Sequence, residues 1–274
     1  MNRRSTPSRR FQPRAPRSPR LWALAGLLLG VLPALAVFAP AQWLASGLAR
    51  ASGGQVRLAE ARGTVWTGSA QLVLTGGADS QDSLALPGRV QWQLRPGLTG
   101  LRASLRSDCC ARQPVTLAVA PRWGGAHVAV ANAQSQWPAS VLTGLGTPWN
   151  TLQPQGQLNI STDALVLDWA AGRLQLSGGV RLDALAMSSR LSTLRPMGSY
   201  RLQLAGGTTA TPSPTLTLST LDGALLLSGS GQWVGQRLRF NGEATAAPGH
   251  EAQLSNLLNI IGRRSGARSV ITLG

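Results

Sequence analysis

Side chains that commonly carry out chemistry are scarce in this sequence. Histidine occurs twice, at His127 and His250, and cysteine occurs only as the adjacent pair Cys109 and Cys110. A metal site needs several His, Cys or acidic ligands at short regular spacings, and a nucleophilic centre needs a nucleophile beside a base. The sequence contains neither pattern. It therefore predicts no metal, no cofactor and no catalytic residue, and we expect the protein not to be an enzyme.

Two other patterns that could indicate chemistry have structural interpretations. The ten acidic residues lie mostly beside Gly, Ser or Thr, where a short carboxylate side chain stabilises a turn. A glycosidase-like pair of carboxylates is therefore disfavoured. Residues 229–235 are a near miss for a dinucleotide-binding fingerprint, and we interpret them as a hairpin turn.

The adjacent cysteines leave two states open. Cα atoms in neighbouring residues are about 3.8 Å apart, closer than standard disulfide geometry allows, so Cys109 and Cys110 can bond only in a strained eight-membered ring or to another chain. The residues around them are typical of an exposed hairpin tip. We interpret the pair as a disulfide or thiol pair there, either reduced or mutually bonded.

An apolar segment near the N-terminus predicts a single transmembrane helix. Residues 21–39 contain no charged or strongly polar side chain, and a helix of this length would be about 28 Å long, close to the thickness of the bilayer hydrocarbon. Trp22 and Trp43 are expected at the two membrane interfaces. A cleavable signal peptide is the alternative, but its apolar region is typically about 7 to 15 residues long.

The distribution of arginine predicts the orientation of this helix. Seven arginines and no acid precede residue 21, and only three arginines follow in the next twenty or so residues after the helix. The positive-inside rule then places the N-terminus in the cytoplasm. We expect a disordered basic tail over 1–20, in contact with membrane lipid, and an interfacial linker over 40–54 that is partly helical. A periplasmic domain would cover 55–274.

The rest of the net charge of +16 does not indicate nucleic-acid binding, because the remaining arginines are scattered singly along predicted strands. Apolar and polar residues alternate in at least ten short runs separated by Gly, Pro, Asn or Asp, which predicts an all-β fold. We expect mostly antiparallel sheet, as a sandwich or a partly open barrel, with short helices over 137–144 and Glu251–Ile261. The second helix would end at Gly262.

Four tryptophans lie on or beside predicted strands, where a large ring most often fills a core. A ligand-lining role is the alternative. These residues are Trp66, Trp92, Trp169 and Trp233.

Two short motifs resemble a known family. Residues 60–70, EARGTVWTGSA, follow soon after the predicted membrane helix and contain Gly63, Thr64, Trp66 and Gly68 in a Gly-Thr-apolar-Trp-small-Gly signature. They resemble the bacterial type II secretion system protein N family, also called general secretion pathway protein N. The segment LLNIIGRR, which ends with Gly262, Arg263 and Arg264, is similar to the C-terminal part of that family.

The resemblance implies an accessory inner-membrane subunit of the machinery that exports folded proteins from the periplasm. Its partners would be other subunits of that machinery, with no small-molecule substrate, and the signature residues would be structural, with Trp66 packed into the sheet. The alternative hypothesis is that the protein is membrane-anchored and handles lipid or another hydrophobic substrate, as in outer-membrane assembly or lipid transport. A contiguous, unfilled apolar interior would favour it. An exported hydrolase would need polar residues clustered in a cleft, which the sequence does not indicate.

Overall fold

A computed structural model describes residues 20–77, 80–170, 173–207, 213–235 and 237–274. The chain divides into two compact units, Met1–Ala39 and Pro40–Gly274. In the first unit, helix α1 (Arg20–Val37) contains Pro33. Across the described ranges, no helix combines the length and the apolar character that a membrane crossing requires. The span over 21–39 stays a prediction, and the predicted tail lies outside the described residues apart from Arg20.

Helices occupy three places in the second unit. Helix α2 (Ala41–Ala51) starts directly after Pro40, within the predicted linker. A 3-10 helix (Ala139–Leu145) follows Pro138, and the short helix α3 (Trp149–Leu152) comes soon after it. Helix α4 (Glu251–Ile261) has the predicted bounds, because its apolar residues recur at helical spacing.

The rest of this unit is β-sheet, as the alternating pattern predicts. Its described strands are Val56–Gly63 (β1), Thr67–Thr75 (β2), Ser83–Ala85 (β3), Val90–Gly97 (β4), Gly100–Ser107 (β5), Ala111–Arg122 (β6), Gly125–Val130 (β7), Ala133–Pro138 (β8), Gln155–Ala170 (β9), Arg173–Ser188 (β10), Gly198–Ala205 (β11), Thr215–Gly223 (β12), Leu225–Val234 (β13), Arg237–Ala246 (β14), Arg263–Ser265 (β15) and Arg268–Leu273 (β16).

All these strands belong to one antiparallel sheet. Hydrogen bonding follows the order β1-β2-β4-β5-β6-β7-β9-β10-β11-β12-β13-β14-β16-β15, with β3 beside β2 and β8 beside β9. Strands β7 and β8 pair with successive parts of β9 on the same edge. The described strands therefore form a single hydrogen-bonded sheet with two ends, and the prediction of a mostly antiparallel all-β fold is confirmed. Short connections between sequential neighbours explain this meander, since hairpins join adjacent strands.

Strand register gives the sheet one apolar and one polar face. Residues directly opposite each other on paired strands point to the same face. Val119, Val128 and Leu167 form such an apolar row across β6, β7 and β9. His127 and Asp168, one position along, lie on the polar face. The alternation of apolar and polar residues along each strand thus gives the sheet one apolar face and one polar face.

The described residues form three separate cores on the apolar face. One core joins α2 to β2 and β4 through Ala41, Ala70 and Trp92. A second contains Leu86, Cys110 and Val141 of the 3-10 helix. The third and largest packs α4 against β11, β13 and β14, with the following buried residues: Met197, Tyr200, Leu225, Ala244, Leu254, Leu257 and Leu258. The helices therefore cover three separate parts of the apolar face.

Candidate functional site

The signature residues form the tight turn between β1 and β2. Gly63 has a φ of +89°, and a Cβ atom there would lie 2.5 Å from the carbonyl oxygen of Thr67. Glycine is required by both the backbone conformation and the space. The Thr64 N–H donates to the same Thr67 carbonyl at 2.9 Å and closes the turn.

Trp92 of β4 packs against this turn and donates hydrogen bonds to it. Its side chain is only 4 % exposed, and its Nε1–H donates to the carbonyl oxygens of Thr64 at 3.2 Å and Val65 at 3.0 Å. Gly68 is directly opposite Trp92 in the register, and a Cβ atom at Gly68 would overlap the indole ring. The glycine therefore makes room for the ring.

Trp66, the tryptophan of the signature, is half-buried, and its carbonyl accepts a hydrogen bond from the Leu94 N–H at 2.6 Å. Sequence reasoning placed Trp92 in a core but missed its contact with the signature. The only available signal was the spacing of Trp92 on an alternating strand. The pairing of β2 with β4, and not with its sequence neighbour β3 alone, brings the two together.

The C-terminal motif lies at the other end of the sheet. Gly262 follows α4 in an extended conformation, close to the Val270 carbonyl, so that α4 can turn directly into β15. Arg263 and Arg264 on β15 are exposed, and the Arg264 Nε–H donates to the Gly266 carbonyl at 2.8 Å. The two motifs are therefore not brought together. They mark the two ends of the strand order.

The adjacent cysteines are bonded to each other at the turn between β5 and β6. Cys109 is exposed, and its Sγ lies 3.3 Å from the Ser107 hydroxyl. Cys110 is 4 % exposed and packs beside Leu86 and Val141. The expectation of an exposed hairpin tip is therefore right for Cys109 and wrong for Cys110, because the turn folds back onto the 3-10 helix.

The two predicted interface tryptophans lie in different units. Trp22 of α1 is 81 % exposed and Trp43 of α2 is 56 % exposed. Both rings present apolar area to their surroundings. Their interface role stays a prediction.

His127 and Asp168 form the pair of side chains that looks most like catalytic machinery. The His127 Nδ1 lies 2.6 Å from the Asp168 Oδ1 across β7 and β9. Such a pair can orient an imidazole, but a nucleophile or a third ligand must complete a reactive centre. In the part of the chain that the structure describes, no three His, Cys, Asp or Glu side chains are grouped to hold a metal ion.

Asp183 and Arg201 form the closest described ion pair between an acid and an arginine. The Arg201 Nε and a terminal nitrogen donate to the two carboxylate oxygens of Asp183 at 2.7 and 2.9 Å. These hydrogen bonds hold the pKa of the Asp183 carboxyl below its ordinary value, although partial burial opposes them. The same hydrogen bonds raise the pKa of the Arg201 guanidinium. The neighbouring Tyr200 phenol is buried, which raises its pKa.

These observations define the class of protein: it is an all-β domain with a single hydrogen-bonded sheet, and its two sequence motifs form a turn and the ends of that sheet. Comparison with known proteins gives the family. The family model for type II secretion system protein N matches residues 54–271, and the chain belongs to that family. Neither the curated proteins nor the solved structures include a match. The chain thus takes part in type II protein secretion, and other components of that system are its partners.

Proposed function

We propose that this protein is an accessory inner-membrane subunit of the type II secretion system, anchored through residues 21–39, and that its β unit acts as a periplasmic scaffold. The family match over 54–271 is the observation that carries the proposal. The nineteen-residue apolar segment and the seven arginines before it supply the anchor and its orientation.

The free edge of β16 is the proposed docking point for a partner strand. Strand β14 pairs with β16 over residues 268–273, whereas β15 covers only 268–270 on the other edge. Within the described chain, no strand pairs with the outer edge of Ile271, Thr272 and Leu273. An unpaired edge offers backbone N–H and C=O groups to an added strand.

Charge on the polar face favours an acidic partner surface. Arg95 of β4 lies directly opposite Arg102 of β5, and both side chains are exposed. Arg106 follows on the same face of β5. Like charges placed opposite each other destabilise a sheet, and none of these three arginines has an ion pair within the described residues. Carboxylates of a partner would relieve the repulsion.

Topology is tested with reporter fusions that report cytoplasm or periplasm. A fusion at residue 15 is expected to report cytoplasm, and one at residue 60 is expected to report periplasm. The reverse result would overturn the orientation. Recovery of a soluble mature chain that begins near residue 41 would show a cleaved signal peptide and would remove the anchor.

The secretion role is tested by deletion and complementation. Cells that lack the gene should retain folded exoproteins in the periplasm, and the full chain should restore their release. A variant that carries only residues 40–274 behind a cleavable signal peptide separates anchoring from scaffolding, and it should restore less. Normal secretion without the gene would contradict the proposal.

One observation favours handling of a hydrophobic substrate as a second candidate function. Leu117, Val119, Val128 and Leu167 lie on the apolar face between the three cores and are half-buried, and none of them belongs to a core of the described residues. An acyl chain could cover this part of the face. In that case the gene deletion would alter outer-membrane lipid composition and leave exoprotein release unchanged.

A further inference from the structure

A gap opens in the sheet between β6 and β8. At one end of the gap the Ala131 N–H donates to the Thr116 carbonyl at 2.9 Å, and at the other the Gln136 N–H donates to the Cys110 carbonyl at 2.7 Å. Between these bonds the described chain has no backbone hydrogen bond from β6 to β8. Residues two apart on a strand face the same edge, so Pro114 faces this gap as Thr116 does. Proline has no N–H to donate, which removes one backbone hydrogen bond that could otherwise join the two strands.

A cleft of about 1010 Å³ lies over this gap. Its floor consists of two cross-strand rows on the polar face of β8, β9 and β10, in which amide and hydroxyl groups predominate. The rows are Gln136, Asn159 and Asp183, and Gln134, Ser161 and Arg181. The sequence shows no such cluster, because the three strands are far apart along the chain.

The charges in the cleft are balanced. The Asp183 carboxylate is already engaged by both nitrogens of Arg201. The remaining lining charges, Asp108 and Arg181, have opposite signs. Among the described lining residues the charges therefore leave no net charge for an ionic ligand, and the recognition chemistry comes from neutral amides and hydroxyls.

One acceptor in the floor has no hydrogen-bond partner. The Oδ1 atom of Asn159 is buried and lacks a donor within the described residues. Buried polar groups are normally satisfied, and a buried group without a partner is costly. A ligand donor that enters the cleft over Asn159 would satisfy it, with Gln136 and Ser161 on either side to donate and accept as well.

The walls indicate the kind of ligand. One wall is the Cys109–Cys110 turn, where the exposed Cys109 sulfur gives a small polarizable apolar surface. Among the described residues of the lining, besides the two cysteines, the apolar side chains are Ala111, Ala133 and Ile160. An extended peptide is recognised through apolar pockets for alternate side chains, which this lining does not provide. Hydroxyl groups, which donate and accept, match side-chain amides and need no such pockets.

We propose that this cleft binds a neutral, polyhydroxylated chain, namely a glycan, with Asn159 and Gln136 as its central contacts. The site is separate from the β16 edge, and it does not depend on the proposed scaffold role. A sugar ring would place hydroxyls over the amide rows and its C–H face against the disulfide turn.

The test is ligand-observed saturation-transfer NMR on the full chain in lauryldimethylamine oxide, a detergent without a sugar headgroup. The probes are tetra-N-acetylchitotetraose and maltotetraose, with an acetylated, amidated Gly-Ser decapeptide as the competing ligand class. At least one tetrasaccharide should give saturable transfer, and the peptide should give none. Binding of neither sugar, or of the peptide in place of a sugar, would overturn the proposal.

Variants show whether binding occurs at this cleft. Asn159→Ala should weaken sugar binding at least about tenfold, the effect of roughly 1.4 kcal/mol of lost interaction. Gln136→Ala changes an exposed side chain, so it keeps the test decisive if Asn159→Ala does not fold. The matched control is Gln232→Ala. Gln232 is an exposed glutamine of β13 that lies on the polar face, as Gln136 does, but outside the cleft. Sugar binding that Gln136→Ala leaves unchanged, or that Gln232→Ala weakens equally, would refute the site.

Discussion

Replacement of Trp92 by alanine should remove the support of the signature turn and destabilise the β unit. The ring packs in the core that joins α2 to the sheet, together with Ala41, Ala70 and Leu58. It also donates the hydrogen bonds that fix the turn carbonyls. The change therefore removes both apolar packing and two polar contacts at one point.

The size of the effect follows from the burial of Trp92. A tryptophan buries about 150 to 250 Å², which corresponds to about 4 to 6 kcal/mol at about 25 cal/mol per Å². Relaxation of neighbours such as Leu94 and Leu105 into the vacated space recovers part of this, so we expect a loss of about 4 kcal/mol. With a urea m-value of about 3 kcal/mol/M for a domain of this size, the unfolding midpoint should fall by about 1.3 M.

The assay is urea unfolding of the full chain followed by far-ultraviolet circular dichroism, since nine tryptophans would complicate a fluorescence signal. Trp123→Ala is the matched control, because Trp123 is fully exposed in the turn between β6 and β7. Its unfolding free energy should change by about 0.5 kcal/mol or less. Equal midpoints for the Trp92 and Trp123 variants would refute the assignment of Trp92 as the anchor of the turn.

The contact between Trp92 and Gly68 adds a coupled test. Gly68→Ala should cost about 1 to 3 kcal/mol by overpacking against the ring. In the Trp92→Ala background the same substitution should cost less, because the ring is gone, although the Arg62 carbonyl still lies 2.6 Å from the added Cβ. Strict additivity of the two changes in a double-mutant cycle would show that they do not interact.

Two further predictions concern the polar face and the C-terminal core. Because the folded-state pKa of Asp183 is below its unfolded value, the carboxylate's contribution to stability is present above the unfolded pKa of about 3.9 and is lost as the pH falls through the folded pKa. Asp183→Asn should therefore flatten the acid limb of the stability profile, measured by urea unfolding from pH 7 to pH 3. Asp222→Asn, at an exposed position of β12, is the matched control. Identical profiles for the two variants would contradict the prediction. Leu257→Ala removes a side chain that is 2 % exposed and should cost about 2 to 5 kcal/mol, while Ile260→Ala on the exposed side of α4 should cost less than about 1 kcal/mol; equal thermal midpoints would argue against α4 as a core element.

Local periodicity was enough to predict helix α4 and the strand-rich fold. Helix α4 was predictable because Leu254, Leu257, Leu258 and Ile261 recur on one helical face, and Gly262 then allows the chain to turn. The strands were predictable because each alternates apolar and polar residues on a sheet with two different faces. In both cases the burial of one face leaves its period in the sequence.

Cross-strand contacts could not be predicted in this way. His127 and Asp168 are 41 residues apart and meet only because β7 pairs with β9 in one register. The glycines at 229 and 231 suggested a turn, yet they lie inside β13, where the ring of Phe240 leaves no room for a side chain. The turn itself comes later, at Gly235, whose φ is +66°. The sequence alone does not distinguish a glycine that makes room for a ring from a glycine that forms a turn.

The burial of tryptophans and the cleft depended on position in the sheet. Trp92 fills a core because α2 covers its strand, whereas Trp169 is 49 % exposed because it lies near the end of β9. The cleft arises because β6 does not pair with β8. Pro114, which has no N–H to donate, is one reason for this. None of these features produces a periodic pattern of residues along the sequence, so they could not be predicted from it.

The proposed contact between the free edge of β16 and another subunit of the secretion machinery can be tested directly by cross-linking. A photoreactive residue placed at Thr272, in cells that are actively secreting, should cross-link the chain to a secretion component. The same residue at Gln232, another exposed position within the sheet, should not. Cross-linking at Thr272 that is absent, or no stronger than at Gln232, would contradict the claim.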